Sequence, residues 1–278
     1  MPSRKWLMPA IGVTAAAMSV GPAALASANA TASPLHAAPG HVRSRGNVML
    51  PSTTPAGHLA AVLPNHHGGG RVVLHDTSDN WAGYAAGGGT FTSVASNWVE
   101  PSVTCGSEDT YSSFWVGLDG DGTSSVEQTG TKADCSGGSA QYSAWYEMYP
   151  AYPVTYSDNV QPGDSMSASV ATDGNGNFTL TLTDSSQGWT ETQNQYSSSA
   201  QDGSAEVIAE APYSNGVLPL SNFGSVDFTG STVNGSALGN SSPDQINLVS
   251  DGGVTEATTS GLDGSGEDFG VTWDSTGS

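Results

Sequence analysis

Three short stretches carry the side chains able to do chemistry. Phe114 to Gly130 reads FWVGLDGDGTSSVEQTG. Phe114, Val116 and Leu118 alternate with Trp115, Gly117 and Asp119, and strand geometry puts the two sets on opposite faces. Glu127 and Gln128 follow closely enough for a hairpin to set them beside that first run. Gln141 to Pro150 reads QYSAWYEMYP, and there Trp145, Glu147 and Tyr149 share a face. Ser204 to Ala211 reads SAEVIAEA, with Glu206, Ile208 and Glu210 on one face and alanines and Val207 on the other. A face that mixes rings with carboxyls suits a groove holding something polar with an apolar edge. Glu206 and Glu210 also suit a solvated strand edge, and pattern alone favours that simpler reading.

The charge census narrows the chemistry. All 26 acidic residues lie from Asp76 onward, and all six histidines lie at or before position 75. Five of the six basic residues (Arg4, Lys5, Arg43, Arg45, Arg71) also precede Asp76, which leaves Lys132 alone in the body. One lysine against 26 acids gives that body a formal charge of −25. Such a surface repels nucleic acid and anionic membranes, which are held by clustered Lys and Arg. Its self-repulsion eases as carboxylates take up protons, so the body suits acid conditions. A Ser-His-Asp or Cys-His site lacks its base there. Zinc sites built on histidine are excluded, and two cysteines are too few for a thiolate site. Carboxyls, amides and hydroxyls remain, so any acid and base of an enzyme would be carboxyl groups. No metal or cofactor is expected.

The N-terminal part reads differently. Arg4 and Lys5 precede an apolar run from Trp6 to about Leu25, followed by small-x-small patterns up to Ala30. This predicts a secretory signal peptide over 1–30. Residues 31–75, rich in Pro, Ala, Gly and His and free of acids, read as a prosegment or a disordered linker. As a prosegment, its arginines and protonated histidines would pair with the acidic body and let go as the carboxyls neutralise. Residues 76–278 form the third region, expected to be a single β-sandwich domain that bears the three chemical stretches. A monomer is expected.

The elements that must position the chemical side chains are strands. Runs rich in Val, Thr, Tyr, Phe and Trp, separated by Gly, Asn, Asp and Ser, predict strands near 81–86, 90–99, 112–119, 125–132, 140–149, 164–173, 177–184, 188–196, 204–211, 225–233, 245–250 and 268–273. No stretch shows a helical period. Many short strands in about 200 residues predict one all-β sandwich or barrel. Asp173 to Asn177, DGNGN, predicts a hairpin turn; its spacing resembles the start of a calcium loop, without that loop's usual Gly and later Glu. In a secreted chain Cys105 and Cys135 predict one disulfide closed around the Phe114–Gly130 stretch, worth about 3–4 kcal/mol on the chain-entropy argument.

Taken together, the motifs resemble a known family. Asn80-Trp81-Ala82-Gly83, Trp115 to Gly120 (WVGLDG), Gln128-Thr129-Gly130, Ala144 to Pro150 (AWYEMYP) and Ala205 to Glu210 (AEVIAE) follow the order and rough spacing of the glutamic peptidases, or eqolisins. The resemblance covers about residues 78–273 and suggests a secreted, bacterial member. It implies an all-β sandwich of two antiparallel sheets, concanavalin A-like or jelly-roll in type, and hydrolysis of polypeptides in acid. It places the family's catalytic glutamine on Gln128 and its glutamate on Glu210. Family substrate-binding positions fall on Trp115, Asp119, Trp145, Glu147 and Tyr149. The sequence departs from the fungal pattern at Met148, where an aromatic is usual, and in having fewer cysteines.

Two other functions fit paired carboxyls and rings on a β-sandwich. One is an acid glycoside hydrolase, which works with two carboxyl groups. The other is a non-catalytic, lectin-like carbohydrate-binding module with its rings as stacking platforms.

Overall fold

Period-two alternation makes strands of most of the chain. The computed structural model describes residues 75–277 except Asn215; the signal-peptide and prosegment assignments lie outside the described residues. The strands are β1 (His75–Ser78), β2 (Trp81–Gly87), β3 (Ser93–Val99), β4 (Ser113–Leu118), β5 (Val126–Ser136), β6 (Ser139–Tyr149), β7 (Val154–Thr155) and β8 (Ser165–Thr172). They continue with β9 (Asn177–Asp184), β10 (Trp189–Tyr196), β11 (Ser204–Glu210), β12 (Ser225–Val233), β13 (Ser236–Ala237), β14 (Asp244–Val249), β15 (Thr255–Thr259) and β16 (Phe269–Trp273). A single 3-10 turn, Leu238–Ser241, interrupts them among the described residues.

Hydrogen bonding runs in one path, β10-β9-β8-β3-β12-β16-β15-β14-β2-β11-β4-β5-β6-β7. Every pairing is antiparallel except that of β1 on β14. The path folds over itself. Side chains of β4 and β5 pack on β8 and β9, so β2-β11-β4-β5-β6 forms one layer of a sandwich and β9-β8-β3-β12 the other. Between them lie Phe114, Val116, Leu118, Val207, Val94, Trp98, Val170, Leu180 and Phe228. Each such side chain contributes roughly 1.5–3 kcal/mol by leaving water.

The two layers differ in how they meet solvent. In β8 and β12 buried and exposed positions alternate, as in a sheet with one wet face. In β4 and β11 every residue is buried. The outer face of the first layer is covered too, by a second apolar cluster of Trp81, Ala85, Trp115, Val126, Trp145, Ile208 and Ile246, with Tyr149 at its margin. The sequence predicts Trp115 and Trp145 on open faces. They lie instead inside this cluster, because four rings on neighbouring strands pack together and remove one another from water.

Cys105 and Cys135 form the expected disulfide, tying β5 to the segment before β4. Asp173 closes the β8–β9 hairpin, accepting from the backbone N–H of Asn175 and Asn177 and from Asn177 Nδ2. That carboxylate is taken up by its own turn.

Candidate active site

Register alone brings the candidate side chains to one face. Glu210 on β11 stands opposite Trp81 on β2 and Ser113 on β4. Ile208 faces Trp115, and Trp115 faces Gly130, which faces Trp145 on β6. One row further along, Glu206, Gly117, Gln128 and Glu147 lie across β11, β4, β5 and β6. Every second residue shares a face, so Glu206, Glu210, Trp115, Gln128, Trp145, Glu147 and Tyr149 all project outward from the first layer.

Trp115 connects the two ends of this array. Its Nε1–H donates to Glu210 Oε2 at 2.7 Å. Its six-membered ring lies back over Gly117, where an added Cβ would meet Cζ3 at 2.9 Å and Gln128 Cβ at 3.2 Å. Gly130 makes the same room on the other side, since a Cβ there would strike the Phe114 carbonyl and the Trp115 backbone. The glycines at 117 and 130 therefore let the β4–β5 ladder carry an indole flat against it. Trp81 meets Trp115 edge to face, with ring centroids 5.1 Å apart.

Glu210 is buried and well supplied with donors. Besides Trp115, Asn80 Nδ2 donates to Oε1 at 3.1 Å. Asn80 Oδ1 accepts from Ser78 Oγ, and Ser78 Oγ in turn accepts from the Asn80 and Trp81 backbone N–H groups, which fixes the direction of the Asn80 amide. Burial pushes the Glu210 carboxyl up to about 8, against the pull of the Trp115 and Asn80 donors. Indole N–H and amide NH2 groups only donate, so both Glu210 oxygens are presented as acceptors, the arrangement that suits the anion.

Gln128 Nε2 donates to Glu147 Oε2 at 2.6 Å. Gln128 Oε1 and Glu147 Oε1, both buried, have no hydrogen-bond partner. Burial pushes Glu147 up to about 9, with the charge of Glu210 raising it further and the Gln128 amide lowering it. The charge of Glu210 thus opposes ionisation of Glu147 across the face, and Glu210 has two donors where Glu147 has one.

The structure separates some of the expected residues from this group. Asp119 is predicted on the Trp115 face. Its backbone has φ +64, so strand alternation stops there and the side chain turns away. Its two oxygens accept from the backbone N–H groups of Gln201, Asp202 and Gly203 at 2.7–3.0 Å, clamping the loop that leads into β11. Glu127 faces inward, opposite to Gln128, among Asp119, Ser125 and Ser197, and burial pushes it up to about 8. Met148 packs against the main core, so the departure from the fungal pattern falls on the side away from Gln128 and Glu147. Glu206 is buried, raised well above the carboxylate range by burial, and held near the turn by Ser204 and the Asp121 N–H. Asn80, Trp81 and Ser113 are the site residues that sequence reasoning did not single out, although Asn80 and Trp81 belong to one of the motifs it used.

Comparison with known proteins identifies the family. Residues 79–268 match the Peptidase A4 family. The chain is 30% identical over 213 residues to aspergillopepsin-2 of Aspergillus niger, covering 66% of this chain and 75% of that protein. It is 32% identical over 198 residues to scytalidopepsin B of Scytalidium lignicola, with the same coverage. Among solved structures, scytalido-glutamic peptidase with a peptide-based transition-state analogue superposes with a TM-score of 0.61 at 26% identity, over 71% of this chain and 99% of that one. The aspergilloglutamic peptidase of Aspergillus niger gives a TM-score of 0.53 at 28% identity, over 59% of this chain and 99% of its own. The extent of the family match, on a sandwich whose outer face gathers buried glutamates and a glutamine, establishes that the chain belongs to the peptidase A4 family and is a glutamic-type endopeptidase.

Proposed function

We propose that the chain is a secreted acid endopeptidase in which Gln128 and Glu210 are the catalytic pair. The observation that carries this reading is the convergence on one sheet face of a β11 carboxylate that accepts from the Trp115 indole and the Asn80 amide, and of a β5 side-chain amide two strands away, with the Trp115 ring of β4 between them. Water and peptide entering the face relieve the burial that raises Glu210, and the ionised carboxylate takes a proton from a water molecule as the water oxygen bonds to the scissile carbonyl carbon. The carbonyl oxygen becomes an oxyanion, and a Gln128 Nε2 hydrogen stabilises it. Glu210 then passes its proton to the amine nitrogen as the C–N bond breaks. The products are a free carboxyl and a free amine, and Glu210 ends as it began.

Trp115, Trp145, Glu147 and Tyr149 border the reacting groups, and Tyr149 is the partly exposed member that would meet substrate at the rim. Asp119 supports the site by shaping the loop before β11. Secretion follows from the predicted signal peptide over 1–30, with 31–75 as a removable prosegment and 76–278 as the catalytic domain. The working unit is a monomer acting on polypeptides outside the cell. A bacterial source fits the departures from the fungal pattern at Met148 and in the cysteines. The sugar-directed alternatives have no comparable support.

The test is digestion of denatured casein at about pH 3 and about pH 7, with and without pepstatin, by the purified protein and by Glu210→Gln and Gln128→Ala. The reading expects digestion in acid only, indifferent to pepstatin, and a loss in each folded variant of at least the roughly 100-fold that a missing oxyanion donor costs. Near-normal turnover in either folded variant would falsify it.

A further inference from the structure

The proposed mechanism needs the Gln128 amide to face the reacting carbonyl, yet that amide is already bonded to Glu147. We infer that Glu147 is a positioning residue that works in its protonated form: Gln128 Nε2 gives one hydrogen to Glu147 Oε2, Glu147 Oε1–H gives its own to Gln128 Oε1, and the second Nε2 hydrogen is thereby turned toward the substrate. This deepens the Gln128–Glu210 reading and rests on it.

The geometry supplies the argument. Gln128 and Glu147 are direct cross-strand partners on β5 and β6, which sets their side chains next to each other on one face. Both are buried, Glu147 at 0% and Gln128 at 1% exposure. One bond joins them, and each group keeps a second oxygen that nothing donates to. A buried acceptor left unmade costs about 1–3 kcal/mol. A single proton on Glu147 satisfies both oxygens at once and closes a two-bond acid–amide pair.

The charges around Glu147 agree. From β11, Glu210 acts on it with an acidic group. β4 presents Ser113, Trp115 and Gly117, and β7 presents Val154 and Thr155, none of which titrates. From β5 come Lys132 and Asp134, whose ammonium and carboxylate pair with each other at 3.1 Å. Tyr149 follows on β6 itself. Lys132 is the body's one side-chain amine, so an ionised Glu147 would meet acidic neighbours and no free cation among the described residues. Burial acts in the same direction. The working state of the two carboxyls then holds one proton, on Glu147, while Glu210 is ionised, and the values read from kinetics belong to the pair. Ionisation of Glu210 sets the lower pH limit of turnover. Loss of the Glu147 proton sets the upper one.

The experiment is kcat and KM on an internally quenched peptide for the parent, Glu147→Gln and Glu147→Ala, across the pH range in which tryptophan fluorescence reports folded protein. A glutamine at 147 still accepts from Gln128 Nε2 and donates to Oε1, and it cannot ionise. Expected for Glu147→Ala is a fall in kcat of roughly 100-fold with KM within about threefold, the mark of a lost transition-state contact. Glu147→Gln should recover at least about tenfold of that loss and move the alkaline limb of kcat up by about one pH unit or more. A rise in KM with unchanged kcat in Glu147→Ala would make Glu147 a substrate-holding group and overturn the inference. So would a Glu147→Gln enzyme no better than Glu147→Ala, or one whose alkaline limb coincides with that of the parent. If Glu147→Ala does not fold, the alkaline limb of Glu147→Gln against the parent decides. Persistent activity in folded Gln128→Ala would instead sink the underlying catalytic assignment, which keeps the two failures apart.

Discussion

Trp115 hydrogen-bonds Glu210 through its indole N–H at 2.7 Å while its ring rests over Gly117, beside the Gln128 side chain. One side chain thus sets the carboxyl from the far strand and borders the amide from the near one. The prediction is direct. Trp115→Phe keeps most of the ring and loses the donor. A hydrogen bond to a charged group is worth about 1.5–3 kcal/mol, so kcat should drop roughly 10- to 100-fold with little change in melting temperature. A donor favours the charged carboxylate, so losing it raises the Glu210 pKa and moves the acid limb of kcat/KM to higher pH. Steady-state kinetics against pH checks both.

Gly117 and Gly130 separate an activity effect from a folding effect. At 117 the added methyl meets mainly the Trp115 ring, which can tilt. Gly117→Ala should fold, lose about 1–3 kcal/mol of stability, and lose kcat much as Trp115→Phe does. At 130 the methyl meets backbone, which cannot yield without opening the β4–β5 ladder. Gly130→Ala should be the less stable of the two in urea titration, with lower soluble yield.

Buried carboxyls tie stability to pH. Glu100 accepts from Trp98 Nε1 and Thr131 Oγ1, faces Asp164 and Asp184, and is pushed by burial up to about 8 from an ordinary 4.5. A carboxyl raised in the folded state binds its proton more tightly there than in the unfolded chain. Its contribution is fully present below about pH 4.5 and is lost as pH rises through about 8. The melting temperature should therefore fall steadily across that interval. Glu100→Gln, which cannot ionise and can still accept both bonds, should flatten the fall and melt several degrees above the parent near pH 7. Calorimetry at a series of pH values measures the slope.

Asp119 should matter to folding more than to chemistry. Its carboxylate accepts three backbone N–H groups of the 201–203 loop. Asp119→Ala leaves those donors without a partner and should cost about 1–3 kcal/mol or more in urea titration. Asp119→Asn should cost less, since asparagine tolerates the left-handed backbone and keeps one acceptor. In both, residual activity should follow the folded fraction.

Alternation of residue types located the strands that carry the site. All twelve predicted strands are present, and those bearing Trp115, Gln128, Glu147 and Glu210 fall where the period of two puts them. The strands left unpredicted have physical reasons. β15, Thr255–Thr259, buries Glu256 and Thr259 beside Ala257, so its inward face is mostly polar and shows no apolar rhythm. β7 and β13 are two residues long, too short for any period. β1 is polar and pairs in parallel with a strand far along the chain. In the site, the parity rule failed at Asp119 because a left-handed residue ends the alternation. The role of Asn80 was not legible either: a polar residue before a strand looks like any turn until Glu210, 130 positions away, is brought against it.

The outward side chains of the site stand on β11, β4, β5 and β6, consecutive strands of a single hydrogen-bonded ladder. Nothing hinges between them. Exposing the main-chain amides of Gln128 or Trp115 to exchange with heavy water demands disruption of the whole layer, so both should exchange as slowly as the most protected amides of the protein. Gln128 and Glu210, the proposed catalytic pair, are thus held at fixed spacing before any substrate arrives, which leaves adaptation to different peptides to the turns at the strand ends.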